Sequence, residues 1–209
     1  MKRILILGAT GTFGKALVER LSGNKDFHLT LASRHATGCC NENEQCRVMD
    51  CDATKTEDVQ RVMKDCDVVY CAVSGTALPI VAGNIVSAMK GAGIRRLIFM
   101  GAVGIYNEIP SGMDDEDNVK NNPEQIPNRE AADIVENSGL GYTILRPGYL
   151  RDGDKEDFTL TFKGEQAKGY ISTIPSVIEF AVCLIKDDNL YIRQSVSITK
   201  DMTNQETIQ

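Results

Sequence analysis

Apolar and polar positions follow two rhythms along this chain. Ile4-Leu5-Ile6-Leu7 is an unbroken apolar run, the pattern of a parallel strand buried on both faces. Phe13, Ala16, Leu17 and Leu21 then recur at helical spacing, and Gly23-Asn24 ends that helix. Leu29 to Ser33 predicts a second strand, residues 35–45 a polar loop, and Arg47-Val48-Met49 a short third strand. Thr54 and Glu57 stand at capping-box spacing ahead of Val59, Val62 and Met63, which share one helical face. Asp67 to Val73 predicts a fourth strand. Pro79 opens a helix carrying Ile80, Val81, Ile85, Val86 and Met89, closed by Gly91-Ala92-Gly93. Leu97 to Met100 predicts a fifth strand.

Residues 104–127 form a long acidic connection rich in Asn, Asp and Pro, and such length predicts a functional lid or disorder. A helix follows with Ala131, Ala132, Ile134 and Val135. Gly141 to Arg146 predicts a sixth strand, stopped by Pro147-Gly148. Beyond it lie a polar strand pair around Phe158–Phe162 and Tyr170–Ser172, a helix opened by Pro175, and a last strand near Val196–Ile198. The tail after Lys200 is polar and expected to fray. The alternation predicts an α/β fold: a Rossmann-type, doubly wound parallel sheet flanked by helices. One domain is expected over 1–209, with about 150–200 as a small C-terminal extension on the substrate side. Ligands of such sheets sit at the carboxyl ends of the strands, where strand order reverses.

Composition narrows the function. With 209 residues, 42% hydrophobic and 25% charged, the chain has the make-up of an ordinary globular protein. Lys+Arg 23 against Asp+Glu 29 gives −6, which argues against a broad grip on nucleic acid. No apolar run approaches ~18 residues, so no membrane span is expected. The start, Met1 to Gly8, is too short in apolar residues for a signal-peptide core. Seven cysteines without a Cys-x-x-Cys pair predict a reduced, cytoplasmic chain. Cys39, Cys40 and Cys46 fit no zinc spacing and read as loop thiols, with a metal site or redox switch as the alternative. His28 and His35 have no nucleophile beside them to activate.

The most informative segment is Gly8-Ala9-Thr10-Gly11-Thr12-Phe13-Gly14, which follows the first strand and opens the first helix. Gly8 permits the turn, Gly11 clears the way for a pyrophosphate, and Gly14 lets helix and strand pack closely. The amides around Thr12 and Phe13 then present the positive end of a helix dipole. NAD-specific sites place an acidic residue at the end of the second strand. Here that end reads Leu31-Ala32-Ser33-Arg34, and Arg34 lies twenty positions beyond Gly14. A guanidinium there pairs with a 2′-phosphate, which favours NADP over NAD; a solvated strand-end arginine is the alternative. Asp50 and Asp52 bracket Cys51; Asp52 reads equally as an acceptor for the adenine amino group or as the start of the next turn. Ala72-Val73-Ser74-Gly75 are small enough for a cofactor to lie against backbone.

Together with the run Asn137-Ser138-Gly139-Leu140-Gly141-Tyr142-Thr143-Ile144-Leu145-Arg146-Pro147-Gly148, these features resemble the atypical short-chain dehydrogenase/reductases. Within these the chain is similar to the NmrA-like NAD(P)H-binding proteins of bacteria, from residue 2 to about 199. The resemblance implies that Gly8, Thr10, Gly11, Thr12, Phe13 and Gly14 hold the pyrophosphate. It assigns Ser33 and Arg34 to the 2′-phosphate side, Asp52 to the adenine, Ala72 and Val73 to the ribose, and Pro147 to the nicotinamide carboxamide. One departure stands out. Where the wider superfamily carries Tyr-x-x-x-Lys, the positions here look like Glu124 and Asn128, and the serine usual after the fifth strand is missing from Met100-Gly101-Ala102-Val103-Gly104.

The standard carbonyl-reducing triad is therefore not carried over. Hydride transfer to a small, easily reduced acceptor, quinone- or flavin-like, needs no such acid, because the cofactor supplies the hard chemistry. Tyr106 and Tyr149 are candidate proton donors, weighed against packing or surface-loop roles. Arg129 is a candidate partner for an anionic substrate, weighed against a solvated helix face. The competing functions are a non-catalytic NAD(P)H-binding sensor or regulator and, last, an extended-type epimerase or dehydratase, for which the stretch after the sixth strand is short. A homodimer is left open.

Overall fold

The computed structural model describes residues 1–155 and 157–202. The expected fraying of the polar tail concerns, from 203 on, positions outside the described residues. Strands and helices alternate in the order β1 (Lys2–Leu7), α1 (Thr12–Leu21), β2 (Phe27–Ser33), β3 (Cys46–Asp50), α2 (Thr56–Val62), β4 (Val68–Cys71), α3 (Leu78–Ala92), β5 (Arg96–Met100), α4 (Ile126–Glu136) and β6 (Gly141–Pro147). The rest comprises β7 (Tyr149–Arg151), β8 (Thr159–Phe162), β9 (Ile171–Thr173), α5 (Ile174–Lys186) and β10 (Gln194–Thr199). The main sheet runs β3-β2-β1-β4-β5-β6-β10-β8. All its neighbours pair in parallel except β8, which lies antiparallel to β10. Strand order reverses between β1 and β4, which opens a crevice at their carboxyl ends.

The strand runs are continuously apolar because the sheet is covered twice. Successive side chains of β1 point to opposite faces. Leu5 and Leu7 join Val69, Cys71, Leu97 and Phe99 under α2, α3 and α4, through Val59, Val81, Ile85, Met89 and Ala132. Ile4 and Ile6 join Leu29, Leu31, Tyr70 and Ile98 under α1 and α5, through Leu17, Leu21, Val177, Ala181 and Ile185. Pro79 and Pro175 sit in the first turns of α3 and α5, as expected, and Gly93 (φ +71) closes α3 in the left-handed conformation.

Three local expectations need correction. The capping box does not form: α2 starts after Lys55, which offers no side-chain cap, so Thr54 stands one residue ahead of the N-cap, and its hydroxyl donates to Asp52 (2.7 Å). The two polar segments beyond residue 157 do not pair with each other. β8 joins β10, and β9 joins β7 in parallel. The connection after β5 is packed rather than loose: Val103, Ile105 and Ile109 are buried, and buried Asn118 clasps both the N–H (3.1 Å) and C=O (2.9 Å) of Ile109. Among the described residues no helix is long and apolar enough to cross a membrane.

Candidate functional site

At the end of β1 the chain turns at Gly8 (φ +84), and the N–H groups of Gly8 and Ala9 both donate to the Ala32 carbonyl (2.8 and 3.2 Å). Each glycine of the loop is required for a different reason. A Cβ on Gly8 would lie 2.7 Å from the Ala72 carbonyl oxygen, and one on Gly14 would overlap the Gly8 carbonyl. Both are dictated by the protein's own packing. Gly11 is not: its backbone is extended (φ −81, ψ 174), and a Cβ there would be no nearer than 3.4 Å to any neighbour. The space over Gly11 is left open by the fold, as a site for close approach of a ligand to backbone requires.

The amides agree with this. Gly11 is the N-cap of α1, without a side-chain cap and without an acidic residue in the first turn. Intrahelical bonding begins with Lys15 N–H to the Gly11 carbonyl (2.8 Å). Among the described residues the N–H groups of Thr12, Phe13 and Gly14 meet no acceptor. Unpaired first-turn donors at the positive end of a helix dipole form an anion cradle.

Beside the cradle, β2 ends at Ser33, whose hydroxyl oxygen is buried and has no hydrogen-bond partner among the described residues. Arg34 is exposed and forms no ion pair there. A buried polar atom without a partner is rare and costs free energy unless a ligand or water satisfies it. Asp50 at the end of β3 is taken up by Thr37, bonding its N–H (2.9 Å) and its hydroxyl (2.8 Å). Asp52 accepts from the Thr54 N–H (3.1 Å) as well as from its hydroxyl. Those hydrogen bonds, assisted by Lys55 and Arg34, hold its carboxyl below the usual range. Asp52 thus starts the next turn; its remaining lone pairs stay open to another donor. Ala72 and Val73 follow β4 directly, half-buried, and Ala72 backs onto Gly8.

Further along the edge, Pro147 is buried at the end of β6 and its carbonyl accepts from Val103 N–H (2.9 Å). This draws the segment after β5 across the mouth of the sheet. Tyr106, in that segment, turns its hydroxyl inward: it lies 2.8 Å from Glu136 Oε1 and 3.1 Å from Ser195 Oγ. Burial, reinforced by Glu136, pushes its pKa well above the ordinary tyrosine value. Around its ring lie Arg129 and Arg146, each 5.1 Å from the centroid, and Lys163 at 4.7 Å. Arg129 itself pairs with Asp133 (2.9 Å), one helical turn on. Tyr149, just past β6, is exposed.

Residues 8–188 match the sequence profile of the NAD(P)H-binding family. The chain belongs to that family. Among curated relatives, an uncharacterized sugar epimerase of Bacillus subtilis (strain 168), YhfK, is 26% identical over 189 residues, covering 81% of this chain and 82% of that protein. Among solved structures, a Rossmann-fold NAD(P)-binding family protein from Shigella flexneri is 29% identical with a TM-score of 0.82, over 99% of this chain and 97% of that one. A wide-type short-chain dehydrogenase/reductase from Veillonella parvula, solved in complex with NADP, shares the fold at 24% identity and a TM-score of 0.87, over 97% and 96% of the two chains.

The residues present fit the NAD(P)H-binding family's cofactor. Open space over Gly11, and three amides and the Ser33 hydroxyl that meet no partner among the described residues, fall along one stretch of the carboxyl edge. The cysteine cluster borders the glycine loop. Cys39, Cys40 and Cys46 are free thiols beside a groove of about 410 Å³ that also touches Thr10 and Lys15. Burial pushes the Cys40 and Cys46 thiols up. No metal-holding group of three His, Cys, Asp or Glu occurs among the described residues.

Sequence reasoning missed the polar network around Arg146 in β6. Arg146 is fully buried, paired with Glu108, and its remaining donors reach Ser195 Oγ (3.1 Å) and the carbonyls of Thr161 (3.2 Å) and Ser195 (3.3 Å). The available signal was an arginine inside an otherwise apolar strand, since a buried charge requires a partner.

Proposed function

We propose that this protein is an NADPH-dependent reductase of a small, easily reduced acceptor of the quinone or flavin type. The observation that carries this reading is the engagement of the Tyr106 hydroxyl with Glu136 and Ser195, away from the open edge. None of the six tyrosines is followed four residues later by a lysine, so a Tyr-x-x-x-Lys acid is absent from the chain. Acceptors that delocalise the incoming charge and take their proton from water need no such acid. When bound, the reduced nicotinamide supplies a hydride, which with a proton from water gives the two-electron-reduced acceptor and the oxidised cofactor.

The choice of NADPH over NADH rests on Ser33 and Arg34. A strand end whose own sequence carries no carboxylate, with a buried hydroxyl and a guanidinium that have no hydrogen-bond or ion-pair partner, respectively, among the described residues, favours an added phosphate. Thr10, Thr12, Phe13 and the three glycines hold the pyrophosphate in this reading, Ala72 and Val73 flank the ribose, and Pro147 borders the nicotinamide. The test is loss of reduced-nicotinamide absorbance with menadione or riboflavin as acceptor. Steady consumption, faster with NADPH than with NADH at low cofactor, is the expected result. Tight NADPH binding with no consumption across acceptors would overturn it. That outcome would favour the second reading, a cofactor-binding sensor, to which the missing acid also points.

A further inference from the structure

The edge beyond Pro147 carries an aromatic pair, Tyr149 and Tyr170, that the proposed cofactor contacts leave out. Tyr149 is 65% exposed, whereas the other ring of the pair, Tyr170, is buried. The rings stack with centroids 6.2 Å apart and planes inclined by 21°. Several contacts fix this arrangement. Tyr149 N–H donates to the Tyr170 carbonyl (2.6 Å), and the short β7–β9 ladder continues from there. Gly148 N–H donates to Ser172 Oγ (2.9 Å), and a Cβ on Gly148 would overlap the Tyr170 carbonyl, so only glycine allows the two backbones to meet. The Tyr170 hydroxyl donates to Asp117, whose other oxygen accepts from Asn122 Nδ2 (3.0 Å). Val103, Ile109 and Ala167 pack behind Tyr170.

With the Tyr149 backbone and the Tyr170 ring beneath it both fixed, the exposed ring has a set position to stack in, which lowers the entropy lost when something lies on it. The exposed apolar area is one ring wide. The other large exposed apolar side chains among the described residues are Met1 ahead of β1, Ile80 in α3, Ile126 in α4 and Ile192 in the turn before β10. An area of that size suits a flat small molecule rather than a protein surface.

We infer that Tyr149, backed by Tyr170, is the stacking surface for a planar conjugated acceptor, with Tyr149 the specificity-determining contact and Tyr170, Gly148 and Asp117 positioning residues. This rests on the reductase reading for the identity of the occupant. Its test does not require turnover. Stacking on tyrosine quenches flavin fluorescence, so riboflavin is titrated into the protein saturated with NADP⁺. Tyr149→Ala is expected to weaken riboflavin binding about tenfold, and Tyr149→Phe, which keeps the ring, by no more than about twofold. Affinity for NADP⁺ stays unchanged in both, which separates loss of the platform from loss of fold. Equal riboflavin affinity in wild type and Tyr149→Ala overturns the inference, and so does absence of riboflavin binding to the wild type. Ring-dependent binding without NADPH consumption upholds the platform and defeats the reductase reading. Menadione turnover that is the same in wild type and Tyr149→Ala upholds the reductase and defeats the platform.

Discussion

The two halves of the carboxyl edge are built on opposite principles. Over β1, β2 and β4 the polar groups are left unspent: three first-turn amides and the Ser33 hydroxyl have no partner among the described residues, and Arg34 has no ion pair there. Over β5 and β6 nearly every polar group is consumed internally. Glu108, Arg146, Ser195, Tyr106 and Glu136 bond one another, and Asn118 holds Ile109 from both sides. One half keeps its hydrogen-bonding capacity for a ligand; the other uses it to fix a long irregular connection. Binding and chemistry should therefore respond differently to substitution in the two halves.

The largest effect is expected where the internal half is cut. Glu108→Gln leaves the buried Arg146 without its counter-charge, and stability should fall by about 3–5 kcal/mol, read from chemical denaturation. Gly11→Leu attacks the open half. Its backbone angles suit any residue and the space is clear, so the melting temperature should hardly move, while dinucleotide affinity falls by more than about a hundredfold in calorimetry. Retained binding would show that nothing approaches Gly11. Arg34→Ala should weaken NADPH by about tenfold to a hundredfold and leave NADH nearly untouched; equal losses would refute the 2′-phosphate assignment. The smallest change is expected for Tyr106→Phe, which removes a buried hydroxyl with two partners. About 1 kcal/mol of stability should go, with turnover of menadione within twofold of wild type. A large drop in turnover with unchanged stability would return Tyr106 to the chemistry.

Legibility followed the same division. The strand and helix order could be read because the central strands of the parallel sheet are covered on both faces and each helix on one, so the apolar rhythm reports directly on burial. The glycine loop could be read because its demands are local: a left-handed turn at Gly8 and close packing at Gly14 are conditions on single residues. The network under β6 was not legible. Glu108, Thr161 and Ser195 meet Arg146 from three separate segments, and no local spacing announces such a meeting. The same holds for the segments near 160 and 171: each has the residues of a strand, but partner choice depends on where β10 and β7 lie. Thr54 failed as a cap because the helix begins one residue later than the spacing suggested, which leaves Thr54 in the turn that Asp52 opens by accepting from both the Thr54 N–H and its hydroxyl.

The partners of Arg146 also bear on how the chain is made. They lie 38, 15 and 49 residues away along the sequence, at Glu108, Thr161 and Ser195. The last of these belongs to β10, so a nascent chain emerging from the ribosome can assemble β1 to β5 and the glycine loop early, yet must carry in β6 a guanidinium that lacks two of its acceptors until Ser195 has been translated. Release of a stump ending before β10 should yield a species prone to aggregate, and chaperone demand during synthesis should peak in that interval.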